Sequence, residues 1–443
     1  MDTMMDRCEY AVSVGEQQGA DEVEAFWTQK VSTAVKAALG EISTAMTTRN
    51  EGMRIRVVTN NALGSAFTYR LDKGSIQKTV SKALAASRVS KKDEYWESFP
   101  GHQNYSTIDV WDSTMEEVRP EDLTAPVIEI LQAVPDPIIV HYAAHEIILH
   151  QQACVNSNGV EHEEKGTREN IALRAVGKLG DGVTPSFYKA SFSRKYDPAP
   201  APLVEDLIHK ITLFKQPDAA VSGPSHVLFS PFALFKLFYY TLFKAVSGEN
   251  VARGKSLLAG KEETKVASSI FTLHDNGIVP QGIASAEMDD EGVPCEDTPL
   301  VEKGILKGVI WDHYWATRMG ETSTGNAHYS DQTGTMSIQQ TNMVVHPGKY
   351  STEELYSIDR GYYVLDVQGA HGSNPDSGNF SVMCAPALRI RKGELSGGVT
   401  GMMLSDNIFS LLQNIDAVGR ESEVREVAIL PPVRVTNINV VAK

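Results

Sequence analysis

Apolar positions recur along the chain with two different periods, and the change of period marks its elements. Residues 4–18 carry the helical spacing, whereas 23–39 reads as a strand region despite its alanines. Met53, Ile55 and Val57 alternate with Arg54 and Arg56, which is strand period. Asn60 and Asn61 predict a turn, and 64–69 returns as the hairpin partner. Ile76, Val80, Ala83 and Leu84 restore the helical period. A polar, irregular connector fills 90–118, a helix is predicted over 121–133, and strands near 138–157, 168–177 and 186–194. The pattern predicts an α/β region, a sheet with helices on one side.

Breakers divide the chain. DPAPAPL at 197–203 is extended before a helix carrying Val204, Leu207, Ile208 and Ile211, and QPDAAVSGP at 216–224 is rich in turn formers. They place a boundary near 220, giving regions 1–220 and 221–443. The most apolar stretch, 227–246, contains Pro231, Lys236 and Lys244, which argues against a membrane span. Phe232, Phe235, Tyr239 and Leu242 recur within it at helical spacing, as in a buried helix or one lining a partner interface. Strand-like runs follow at 305–311, 342–346, 362–367, 381–390 and 433–441, separated by glycine-rich turns. The expected class is α+β, the C-terminal region being mostly β and barrel-like.

Composition narrows the function classes. A length of 443 residues exceeds one ordinary core. A formal charge of −15 without a long basic run argues against nucleic-acid binding. Cys8, Cys154, Cys295 and Cys384 lie far apart, which excludes a CxxC zinc ribbon and suits a reducing cytosol. Residues 1–10 are charged and lack the apolar core of a secretion signal, so a cytoplasmic protein is expected.

Three segments could carry chemistry. His145, Glu146 and His150 form HExxxH, one residue longer than the zinc-binding HExxH. A separation of five places the two imidazoles about 140° apart on a helix and on opposite faces of a strand. The local pattern is that of a strand, on which His141 and His145 would share a face, so a coincidental motif competes with a metal site. Asp289, Asp290 and Glu291 precede Gly292, either as a hard-cation site or as a solvated turn. Cys154 and Cys384 are possible nucleophiles, but no histidine is placed by sequence to activate either. The most unusual stretch is GAHGSNPDSGNFS at 369–381, whose three glycines, proline and two asparagines make a loop with several special dihedrals. Held between two strands, it is either a binding loop, with Gly369, His371, Gly372, Asn374, Pro375, Gly378, Phe380 and Ser381 as its candidate residues, or a structural turn.

This loop resembles the signature of the TldD/PmbA family, on its PmbA (TldE) side. Further segments match in order: NSNG at 156–159, SGEN at 247–250, KSLLAG at 255–260, MDDEGVP at 288–294, GILKG at 304–308 and STGN at 323–326. The resemblance implies a cytosolic protein with an α/β N-terminal and a barrel-like C-terminal region. It also implies a pairing of TldD-like and TldE-like chains as a metallopeptidase that digests unfolded peptides and trims leader peptides. The older family name, modulator of DNA gyrase, finds no support in charge or motif. In the catalytic TldD member the resemblance implies an HExxxH at the end of the helix before the SGEN-like segment, and a Cys-Gly ligand segment near the C-terminus. Here those places read YYTLFKAV at 239–246 and VAILPP at 427–432.

The expectation is a TldE-like subunit with no catalytic residue and no cofactor of its own, zinc residing in a TldD-like partner. The peptide-binding or interface loop would be 369–381. The alternatives are an active homo-oligomeric metallopeptidase using His145, Glu146 and His150, with a second copy of the chain as partner, as in a homodimer, and a peptide-binding adaptor without hydrolytic role. Neither nucleic acid nor membrane is an expected partner.

Overall fold

The computed structural model describes residues 3–330 and 334–442. The chain opens with helix α1 (Met4–Gln17), started by a reciprocal cap: the Thr3 hydroxyl accepts the Asp6 amide, and the Asp6 carboxylate accepts the Thr3 amide. Three strands follow, β1 (Glu22–Ala38), β2 (Glu41–Thr59) and β3 (Ala62–Thr68). They are joined by two-residue turns whose residues all have positive φ: Leu39 and Gly40, then Asn60 and Asn61. Such turns match the strand twist, which is why an Asn pair marks the second hairpin. Helix α2 (Lys73–Val89) is capped by Asp72, and helix α3 (Pro120–Ala133) follows the connector.

Two long strands, β4 (Ile138–Asn156) and β5 (Glu161–Leu179), then join a seven-stranded sheet. It is completed by β6 (Gly182–Val183) and β7 (Phe187–Ser193), with order β3-β2-β1-β4-β5-β6 and β7 also on β5. Residue parity divides its faces. Val23, Ala25, Met53, Ile55, Val57, Ala153 and Val155 pack under α1 and α2, and Ala143, Ile147, Ile171 and Leu173 pack under α3 and α4 (Ala201–Leu213). The even-numbered residues opposite are mostly polar.

The second large sheet has ten strands, among them β8 (Asp218–Ala219), β9 (Gly223–Phe229), Arg360–Val364, Ala387–Arg391 and Val433–Ala442. It is buried on both sides. Val227 and Phe229 belong to one core and Leu228 to another; Tyr362 and Val364 alternate likewise with Tyr363 and Leu365. Two-sided burial explains why these strands read as continuous apolar runs. Between this sheet and a six-stranded sheet lies α5 (Pro231–Tyr240), capped by Ser230 with Pro231 at its first turn.

The class is therefore mixed α+β with several sheets, and no closed barrel is found among the described residues. The expected strand at 305–311 is confined to Ile305–Leu306, because the chain then runs into the bridge at Ile310 and the helix His313–Met319. The expected strand at 381–390 is two strands, Asn379–Cys384 and Ala387–Arg391, parted at Pro386, which has no N–H to give a ladder. Among the described residues no helix is long and apolar enough to cross a membrane.

Candidate functional site

Register sets the site. Phe26 lies opposite Arg54 on one side and Cys154 on the other, Thr28 opposite Gln152, and His150 opposite Gly166. Phe26, Thr28, Arg54, His150, Gln152 and Arg168 thus share the polar face. His145 takes the other face, fully buried, its Nε2 at 2.8 Å from Glu169 Oε1. Glu146 accepts the Ser32 hydroxyl at 2.6 Å. His141 sits at a bulge and meets Ser186 Oγ at 2.9 Å. HExxxH is a strand sequence whose two imidazoles diverge, as its odd spacing requires, and it is not brought together as a ligand set.

The acidic turn is not a solvated one, and among the described residues it forms no group of three or more His, Cys, Asp or Glu placed to hold a cation. It is buried against the polar face and latches the two halves of the chain. Arg56 donates to both Glu24 oxygens, at 2.8 and 2.5 Å, and to Glu291 Oε1 at 3.0 Å. Arg54 donates to Glu24 at 3.1 Å and to the Asp290 carbonyl at 2.6 Å, its guanidinium lying between the Phe26 and Tyr329 rings. Burial would raise the Glu24 carboxyl, but Arg56 and Arg54 outweigh it and hold the group below its usual range. Asp289 is enclosed by the amides of Glu291, Val293 and Ala327. A second latch is buried Arg194, which donates to the carbonyls of Gly282, Ile283 and Ser285.

Between the polar face and this turn lies a cavity of about 390 Å³, walled by Arg54, His150, Arg168, Asn326, His328 and Tyr329 among others. Gly166 leaves room for the Arg194 and His150 side chains: a Cβ would meet Arg194 Nη1 at 2.9 Å and His150 Nδ1 at 3.0 Å. Burial, helped by the Arg168 and Arg194 charges, lowers the His150 pKa to about 4. Unfolding restores an ordinary histidine near 6.5, so between these values the unfolded chain binds the extra proton. This contribution to stability is complete above about pH 6.5 and is lost as pH falls towards 4. The parent chain should therefore lose melting temperature over that window more steeply than His150→Gln; parallel slopes would refute the assignment.

The loop 369–381 stands elsewhere, at an end of the ten-stranded sheet. Val367–Gln368 is the sheet's terminal strand, and the loop starts from it. Gly369 and Gly378 have positive φ, 84° and 74°, and a Cβ on Gly378 would press on Ile408 and Phe409. Gly372 does not behave as the sequence suggests: its φ is not positive and a Cβ there would meet open space. Asn374 holds the turn, its carbonyl accepting the Gly378 amide at 2.8 Å and its side chain the Ser377 amide at 3.0 Å; Pro375 follows it. Phe380 is buried and Ser381 exposed, alternating along their strand. Exposed His371 meets the Tyr240 ring edge-on, 6.4 Å between centroids, beside the end of α5.

That end of α5 does not suit zinc. Tyr239, Tyr240, Leu242 and Phe243 offer no imidazole or carboxylate; the Thr241 hydroxyl is spent on the Leu237 carbonyl at 2.6 Å; Lys244 is an ammonium. The nearby strand Ala428–Leu430 carries no ligand either. Among the described residues no group of three or more His, Cys, Asp or Glu is placed to hold a metal ion. All four cysteines are buried and free, and burial raises the thiol pKa values of Cys154 and Cys384, which leaves neither activated as a nucleophile.

Sequence reasoning missed Arg168, Arg194 and the cavity. Their signal is the even-numbered polar series His162, Glu164, Arg168 on β5, which gains meaning only once the register is known.

Comparison with known proteins agrees with this architecture. Residues 222–442 match the PmbA/TldA metallopeptidase C-terminal domain and residues 23–87 match PmbA/TldA metallopeptidase domain 1. The chain is 26% identical over 403 residues to a metalloprotease of Methanothermobacter thermautotrophicus, covering 86% of this chain and 84% of that one. It is 24% identical over 428 residues to a metalloprotease PmbA homolog of Haemophilus influenzae, covering 94% and 91%. The crystal structure of TldE from Thermococcus kodakarensis superposes with a TM-score of 0.95 at 29% identity, covering 98% of this chain and all of that one. The chain belongs to the PmbA/TldD metallopeptidase family, as a PmbA/TldE-like member.

Proposed function

We propose that this chain is the non-catalytic subunit of a cytoplasmic peptidase pair, with a TldD-like partner holding the zinc and cleaving unfolded or leader peptides. The observation that carries the reading is the end of α5. The family resemblance puts the catalytic HExxxH there, and the side chains present are Tyr239, Tyr240, Thr241, Leu242, Phe243 and Lys244. The divergence of His145 and His150 weighs against an active homo-oligomer built on those residues. In the same proposal, 1–220 and 221–443 act as two regions, and the loop 369–381 with the edge strand Val367–Gln368 shapes the peptide chamber or the partner interface. Adding a peptide as a further strand would hold extended backbone through main-chain hydrogen bonds, without reading its side chains.

Elemental analysis of the purified chain tests the metal half of the reading. No stoichiometric zinc is expected. Stoichiometric zinc that disappears on replacing His145 or His150 would establish the homo-oligomeric enzyme instead.

A further inference from the structure

Arg168 is out of keeping with its surroundings. Arginine carries five donors, which carboxylates and carbonyls ordinarily satisfy. Arg54, Arg56 and Arg194 are each bound to carboxylates or carbonyls, although Arg54 Nε and Nη1 have no partner among the described residues. No hydrogen bond or ion pair engages the Arg168 guanidinium among the described residues, although it stands on the wall of the cavity. Burial lowers its pKa, and only Glu426 acts against that. The residue is half-buried, so its guanidinium meets the cavity with no donor paired to the described residues, and a bound anion would pair them.

The rest of the wall fits an anion attached to something larger. Asp289 and Asp290 also border the cavity, but their oxygens are already engaged. Asp289 accepts three backbone amides, and Asp290 accepts the Tyr329 amide and pairs with His328 at 3.3 Å. His150 stays neutral at pH 7, so it can donate without adding charge. Phe26, Phe67 and Met288 give an apolar flank, and Gln339 and Gln340 bring amide groups. The volume lies within the roughly 300–1,000 Å³ of small-ligand sites, and the half-exposed His328 marks where the wall reaches solvent.

We propose that this cavity is a subsite for the C-terminal carboxylate of a peptide, anchored by Arg168. The guanidinium forms a bidentate pair with the carboxylate, the amide groups meet the last peptide bond, and the apolar flank receives the last side chain. The inference rests on the reading of the chain as a peptide-handling subunit, and it adds a preference for free chain ends.

Binding to the whole chain tests it. N-terminally dansylated Gly-Gly-Phe as the free acid, the same peptide as its C-terminal amide, and inorganic phosphate are titrated in parallel. The free acid is expected to bind about tenfold or more tightly than the amide, as suits a charge-assisted bidentate pair. Arg168→Gln should abolish that preference with melting unchanged, and Arg168→Lys should restore part of it. Equal binding of acid and amide, no saturable binding of the acid, or a preference that survives Arg168→Gln would overturn the proposal. Phosphate binding as tightly as the acid would do the same, since the site would then be a simple anion site. Should Arg168→Gln not fold, the acid-to-amide ratio of the parent chain and of Arg168→Lys decides. Cleavage by a reconstituted pair is a separate readout, so a pair that fails to cleave counts against the proposed function and leaves this ratio standing.

Discussion

Replacing Arg56 with Met is expected to destabilise the chain by about 3–5 kcal/mol, the cost of breaking a buried ion pair from one side. Glu24 is completely buried and would keep only the 3.1 Å contact from Arg54. Glu291, also buried, would lose its guanidinium altogether and keep the His313 amide at 3.1 Å. Two carboxylates would then face low-dielectric surroundings with too few donors. The damage spans both halves of the chain, because Arg56 belongs to β2 and Glu291 to the turn docked on it. Urea unfolding of parent and variant measures the difference. A loss below about 1 kcal/mol, the scale of an exposed pair, would mean that the latch is not what joins these segments.

The second large effect is expected from one methyl group. Gly325 has φ +70°, and a Cβ there would fall well inside contact with the Pro294 carbonyl and the Cys295 Cα. A left-handed non-glycine residue costs about 1–2 kcal/mol, and overpacking adds about 1–3 kcal/mol. The turn it sits in also aims Asn326, whose side-chain amide donates to Asp275 at 2.6 Å and to the Gln339 carbonyl at 2.9 Å. Gly325→Ala should therefore melt well below the parent. Gly372→Val, at an open position without positive φ, should melt with the parent. Equal melting of all three proteins would contradict the backbone argument.

These two positions show what the sequence makes legible and what it hides. The alternation of Met53, Ile55 and Val57 with Arg54 and Arg56 announces a strand, and an Asn pair announces its hairpin, because both signals are local. The odd spacing of His145 and His150 likewise suffices to separate them on a strand. That the arginine face would be buried rather than solvated depends on a turn more than two hundred residues away. The acidic run 289–291 therefore reads as a surface feature until its partners are known. Gly325 and Gly372 look alike in sequence and differ only in what surrounds them. The ten-stranded sheet reads as a barrel because short apolar strands and glycine turns suit either arrangement; closure depends on pairings that no local pattern records.

The measurement that bears most directly on the central claim is cleavage of an unfolded peptide by this chain alone, by a TldD-like partner alone, and by the two together. No cleavage by this chain alone is expected. The mixture should cleave, and that cleavage should survive His150→Gln here and be abolished when the partner's HExxxH is removed. Zinc-dependent cleavage by this chain alone, lost on His150→Gln, would contradict the assignment as a non-catalytic subunit.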